Sequence, residues 1–165
     1  MNQTTITKDV AAKQLTVVRD FNAPIDQVWR AWTEQELLDQ WWAPKPWKAN
    51  TKSMEFQEGG TWLYAMQGPE GEKHWARSDF ETIDQGKGYT YRDAFCDENG
   101  DLNSDMPTTY WNVSFSTAGD ATRVTVLLSF DSEASLDKII ETGFKEGFTA
   151  GHGNLDELLA KGVQH

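Results

Sequence analysis

The sequence predicts an α+β domain in which a curved, seven-stranded antiparallel sheet wraps around one long C-terminal helix, with two short helices after the first strand. Three observations carry this expectation. Between Leu136 and Leu159, apolar or small residues recur at helical spacing over a stretch long enough to cover a whole sheet. Between Thr51 and Phe130 the pattern changes to short β-prone runs separated by glycine-containing turns. Connections that short join only antiparallel neighbours.

Taken in order, Met1 to Lys13 is polar and threonine-rich and reads as a flexible leader, so the single domain runs over residues 14–163. Leu15 to Phe21 is the first strand, with Val17, Arg19 and Phe21 on one face. Pro24 sits where helices favour proline, in the first turn, and Ile25, Val28, Trp29 and Trp32 follow at helical spacing. Thr33 with Glu36 suggests a capping box for a second short helix carrying Leu37, Leu38 and Trp41, which Pro44 and Pro46 end. Six strands follow, at Thr51 to Phe56, Thr61 to Gln67, His74 to Ile83, Tyr89 to Phe95, Thr109 to Ser116 and Arg123 to Phe130. Gly59-Gly60, Gly68-Pro69, Gly86-Lys87-Gly88 and Gly119-Asp120 punctuate them.

For the terminal helix Ser135 is the expected N-cap, or Ser132 if it starts a turn earlier, and Gly162 lies just past its end. Gly143, Gly147 and Gly151 repeat every fourth residue, although each costs a helix roughly 1 kcal/mol relative to alanine. Either the glycines let the backbone approach a neighbour closely, or they leave a hollow beside Phe144, Phe148 and His152. A break at Gly151-His152-Gly153 is conceivable. The stripe stays in phase across it, which favours one continuous helix.

A chain of 165 residues is large enough for one domain with a genuine core, and its eight tryptophans imply an interior or cavity walled by large rings. The net charge of -11 repels phosphate backbones and anionic membranes, which argues against nucleic-acid binding. Cys96 is the only cysteine, so no internal disulfide forms and a reducing, cytoplasmic setting fits best. No run approaches the roughly 20 apolar residues of a membrane span, so membrane insertion is not expected.

No nucleophile elbow, phosphate loop, dinucleotide fingerprint or metalloprotease motif is present, and no catalytic residue, metal or cofactor is assigned. Asp97, Asn99, Asp101, Asn103 and Asp105 alternate as calcium ligands do. Leu102 and Thr108 stand where an EF-hand needs glycine and glutamate, so this is read as an exposed acidic loop. Asp93 alternates with Tyr91 and Phe95 and should face inward, where a buried carboxylate must find a partner; Arg19 is the candidate. His152 falls at the edge of the helical stripe, as a packed histidine or one that meets a ligand.

The opening from Arg19-Asp20-Phe21-Asn22-Ala23-Pro24 through Val28-Trp29-Arg30-Ala31-Trp32-Thr33 to Leu38, Trp41, Trp42 and Pro44 resembles that of a known family. It is similar to the domain family named for the activator of the ninety-kilodalton heat-shock chaperone's ATPase (AHSA-like), within the START-like, or SRPBCC, superfamily. Glu58-Gly59-Gly60, Phe95-Cys96-Asp97-Glu98-Asn99-Gly100, Thr122-Arg123-Val124-Thr125 and Gly147-Phe148 agree in order, so the likeness covers about residues 14–160. The resemblance implies a helix-grip fold with a hydrophobic cavity between sheet and long helix. Inward-facing positions then nominate the lining as Trp29, Trp32, Trp41, Trp62, Tyr64, Met66, Phe80, Tyr91, Asp93, Phe95, Trp111, Phe115, Phe144, Gly147, Phe148 and His152. The function expected is binding of a small apolar or aromatic molecule. A protein-interaction, co-chaperone-like domain and a cyclase- or hydratase-type enzyme using the same cavity are the alternatives.

Overall fold

In the computed structural model, which describes residues 3–162, the elements in chain order are β1 (Thr5–Asp9), β2 (Gln14–Phe21), α1 (Ile25–Thr33), α2 (Gln35–Trp41), β3 (Lys48–Met54), β4 (Thr61–Gln67), β5 (Lys73–Asp84), β6 (Gly88–Cys96), β7 (Thr109–Ala118), β8 (Ala121–Phe130), α3 (Glu133–Glu141) and α4 (Phe144–Lys161). All strands pair antiparallel in one sheet of order β1-β2-β8-β7-β6-β5-β4-β3. The first long strand therefore lies against the last, and the meander fills the rest. This is the helix-grip architecture, with one strand more than the seven expected among the described residues.

The extra strand comes from the stretch read as a leader. Thr5 to Asp9 pairs with Gln14 to Val18 and covers the hydrogen-bonding edge of β2. Its only large apolar side chain is Ile6, so alternation alone leaves almost no trace in the sequence. Two local expectations also shift. Thr33 is the last residue of α1, not the cap of α2, and its hydroxyl donates to the Trp29 carbonyl at 2.8 Å. Pro24 is the N-cap of α1 rather than a residue of its first turn.

The terminal helix is two helices, broken earlier than the weighed alternative. Ser132 caps α3, its Oγ accepting from the Ser135 N–H at 3.1 Å. Gly143 then turns left-handed at φ 87° and donates its N–H to the Ile140 carbonyl, the glycine-terminated helix end that L-residues adopt only with strain. Beyond this elbow α4 runs against α2, with Phe148, Leu155 and Leu159 buried. A Cβ on Gly151 would meet the Trp42 and Trp41 carbonyl oxygens at 3.2 and 3.3 Å, so here a glycine does permit close approach. Asn154 donates to the Ala43 carbonyl at 2.9 Å in the same contact. Gly147 is different: a Cβ there meets only Pro44 Cγ, at 3.7 Å.

Candidate ligand groove

Where β4 ends and β5 begins, the sheet's inner face runs out from under α4, and a groove of about 710 Å³ opens. Met66, Phe95 and Met106 give it apolar walls, Pro44 and Trp47 descend from the connection after α2, and Thr142 of the elbow closes one side. Lys73 and His74 form the rim with Asn103. The Trp47 and His74 rings lie 5.4 Å apart at 30°, so the histidine is held by an aromatic face. Trp75 and Cys96 complete the lining. Burial pushes the Cys96 thiol up to about 11, which leaves it protonated and unreactive near neutrality.

Asp93 sits one inward step from Phe95 on the same face of β6. Its cross-strand partners Ser78 and Thr109 are buried, as is Tyr91 two residues back. Asp93 itself keeps partial solvent contact, and so does Phe95. Of these neighbours Phe95 is the one whose side chain lines the groove. Burial pushes its pKa up to about 7, with the Asp79 charge adding to the rise and a long 3.3 Å hydrogen bond from Ser78 opposing it. Among the described residues no cation pairs with it.

The expected partner is engaged elsewhere. Arg19, 6% exposed, forms an ion pair with Asp156 of α4 and donates to Thr4 Oγ1 at 2.9 Å. That same hydroxyl shares a 2.8 Å hydrogen bond with His152 Nδ1. Burial first, and then the Arg19 charge, lowers the His152 pKa to about 3, so the imidazole is neutral. This makes His152 a packed histidine in a structural cluster at the opposite end from the groove. Among the described residues its Nε2 and the Nε of Arg19 have no hydrogen-bond partner.

Of the other nominated residues, Met66 and Phe95 line the groove, while Trp29, Trp32, Trp41, Trp62, Tyr64, Phe80, Tyr91, Trp111, Phe115 and Phe148 are buried core. Their rings fill the space between sheet and α4: Trp29 meets Phe115 at 5.1 Å, Tyr91 stacks on Trp111 at 5.3 Å, and Trp111 meets Phe148 at 5.5 Å. Trp42 donates to the Tyr64 hydroxyl at 3.1 Å, which fixes both rings. Phe144 and Gly147 are half-buried on the α4 side facing Trp111 and Pro44 respectively. The open volume thus lies at the end of the ring stack rather than within it. Trp47 and Met106, which build its outer walls, stand in connections without periodicity and gave no sequence signal, and Thr142 fell between the apolar positions of the helical stripe.

The acidic loop supports the groove from outside. Asp97 accepts N–H groups from Asn99 and Asp101 at 2.8 and 3.0 Å, a turn made by its own carboxylate. Among the described residues no helix is long and apolar enough to cross a membrane.

Comparison with known proteins adds the following. The sequence model of the Activator of Hsp90 ATPase homolog 1-like protein family matches residues 22–160. A protein from Arthrobacter aurescens, solved in solution, is similar at 31% identity and a TM-score of 0.89, covering 97% of this chain and 93% of that one. A crystal structure from Mycobacterium smegmatis has 26% identity and a TM-score of 0.89 over 98% of this chain and 99% of the other. One from Nitrosomonas europaea has 28% identity and a TM-score of 0.78, over 92% and 96%. A comparison with curated proteins gives no match.

Proposed function

The chain belongs to the Activator of Hsp90 ATPase homolog 1-like family, and we propose that it binds a small apolar or aromatic molecule in the groove beneath the elbow. The observation that supports this reading is an opening of about 710 Å³ walled by Met66, Phe95 and Met106 directly beside a solid stack of rings. A concave, largely apolar site of this size with a few polar groups suits a small molecule. The protein-interaction alternative has less to rest on. Among the described residues the large apolar side chains that stand well exposed are Val10 and Leu102, too few for an extended docking face.

Filling the groove tests the reading. Met106 lies outside the sheet, so Met106→Trp occupies the opening without disturbing the core. The variant is expected to keep the wild-type melting temperature and to lose most binding of a neutral, environment-sensitive dye such as N-phenylnaphthylamine. Equal dye binding by the two proteins places the site elsewhere. Native mass spectrometry of freshly purified protein then shows whether a retained molecule departs with the same substitution.

A further inference from the structure

We propose that the groove selects molecules carrying an organic ammonium on a short arm beside an apolar ring, with Asp93 as the counter-charge. This rests on the groove being a ligand site and adds what kind of ligand it takes. Asp93 is a carboxylate one inward step along β6 from Phe95, whose ring walls the opening, and among the described residues its hydrogen-bond partner is the Ser78 hydroxyl, at 3.3 Å. The inward-facing cation that could have neutralised it, Arg19, is committed to Asp156. Lys73, at the rim, is solvent-exposed and forms no ion pair with it. A charge buried without a partner is costly, and a site that retains one meets it with a ligand of opposite sign.

Geometry sets the arm. Two residues along a strand span roughly 7 Å, so a ring resting on Phe95 and Met66 places a nitrogen two carbons away within reach of Asp93. The Ser78 and Thr109 hydroxyls on either side can orient the remaining N–H donors. The nearby aromatic faces favour a cation over an anion as well. So does the net charge of -11, through attraction at long range.

Asp93 differs from the other buried titratable groups around it in having its pKa brought to about 7. Tyr64 on β4 and Tyr91 on β6 are driven well above the ordinary tyrosine range by burial, and Cys96 is raised to about 11. Asp79, whose burial is outweighed by hydrogen bonds from Arg77 and Thr61, stays ionised. His74 and Lys73 stand at the rim.

Calorimetry with naphthylethylamine, the isosteric naphthylethanol and naphthylpropanoate decides the matter. Near pH 8 the amine is expected to bind at least about tenfold tighter than the alcohol, and Asp93→Asn should erase that preference while keeping the alcohol's affinity. With wild-type protein alone, the amine's affinity should fall toward tenfold per pH unit below about pH 7, as Asp93 takes up a proton, while the alcohol's stays level. His74→Gln should leave this fall in place. Equal binding of amine and alcohol, a pH profile that vanishes with His74→Gln, or a preference for the propanoate overturns the inference while the groove stands as a ligand site. Failure of all three probes to bind overturns the groove reading with it.

Discussion

Arg19 and Asp93 both project from the sheet into the interior, from β2 and β6, and the fold treats them in opposite ways. Arg19 is met by two groups, a carboxylate from α4 and a hydroxyl from the residue before β1, and that hydroxyl also bonds the neutral His152. Asp93 has the Ser78 hydroxyl and, one step along its strand, the Phe95 wall of the groove. A protein that supplies a carboxylate to one inward charge has the means to neutralise the other. The difference separates an end of the interior whose polar groups hold the scaffold from an end whose polar group is left for something else.

The largest expected effect lies at the closed end. Asp156→Ala strips Arg19 of its countercharge and should lower stability by about 2 to 3 kcal/mol in urea unfolding, below the loss for a fully buried pair because Asp156 is partly exposed. No loss would mean that water already reaches Arg19 and that the two ends are less different than described.

The open end should respond with the opposite sign. Asp93 has a folded pKa of about 7 against an ordinary 3.8, so folding binds a proton that the unfolded chain releases above pH 4. Its cost is therefore small at low pH, grows as pH rises from about 4 to 7, and is constant above. Asp93→Asn should raise stability near pH 8 by about 1 to 2 kcal/mol, discounted for the residue's partial solvent contact, and by little near pH 4. His152 works in reverse: its pKa is lowered to about 3 from 6.5, so stability is lost as pH falls from about 6.5 toward 3. Melts of wild type, Asp93→Asn and His152→Gln across that range should show the Asn variant falling more steeply in acid and the Gln variant less steeply. Parallel curves would remove the electrostatic contrast.

The smallest contrast is between two glycines one turn apart on α4. Gly151→Ala presses a methyl between two carbonyls of the α2 end and should cost about 1 kcal/mol. Gly147→Ala finds ordinary contact with Pro44 and should gain about 0.5 kcal/mol through helix propensity. Similar shifts in melting temperature for both would place α4 differently from the arrangement described.

Those glycines also show how far the sequence could be read. Turn chemistry and alternation located the meander, and for β4 both of its ends at Thr61 and Gln67, because β-prone runs between glycines leave few other solutions. The elbow escaped because the apolar stripe stays in phase across Gly143, and only the backbone angle marks that glycine among its neighbours. Alternation of Asp93 with Tyr91 and Phe95 disclosed its inward direction. Its lack of a cation did not show, since Arg19's choice of Asp156 depends on where α4 crosses β2, a tertiary fact. The tryptophans announced an aromatic interior but not that it would be solid. Whether rings close on each other or stand apart is decided by helix placement, through contacts such as Trp42 with Tyr64.

The hydrogen bond between Thr4 and His152 joins residues 148 apart. On the ribosome the hairpins from β3 to β8 can close as they emerge, since each pairs neighbours in the chain. The β1–β2 hairpin emerges before the meander yet has no sheet to join until β8 exists, and the Arg19 charge in it has no countercharge until α4 follows. Synthesis therefore carries an exposed, apolar β2 through most of the chain's length. α4, made after all eight strands, is the helix that completes the fold around β2.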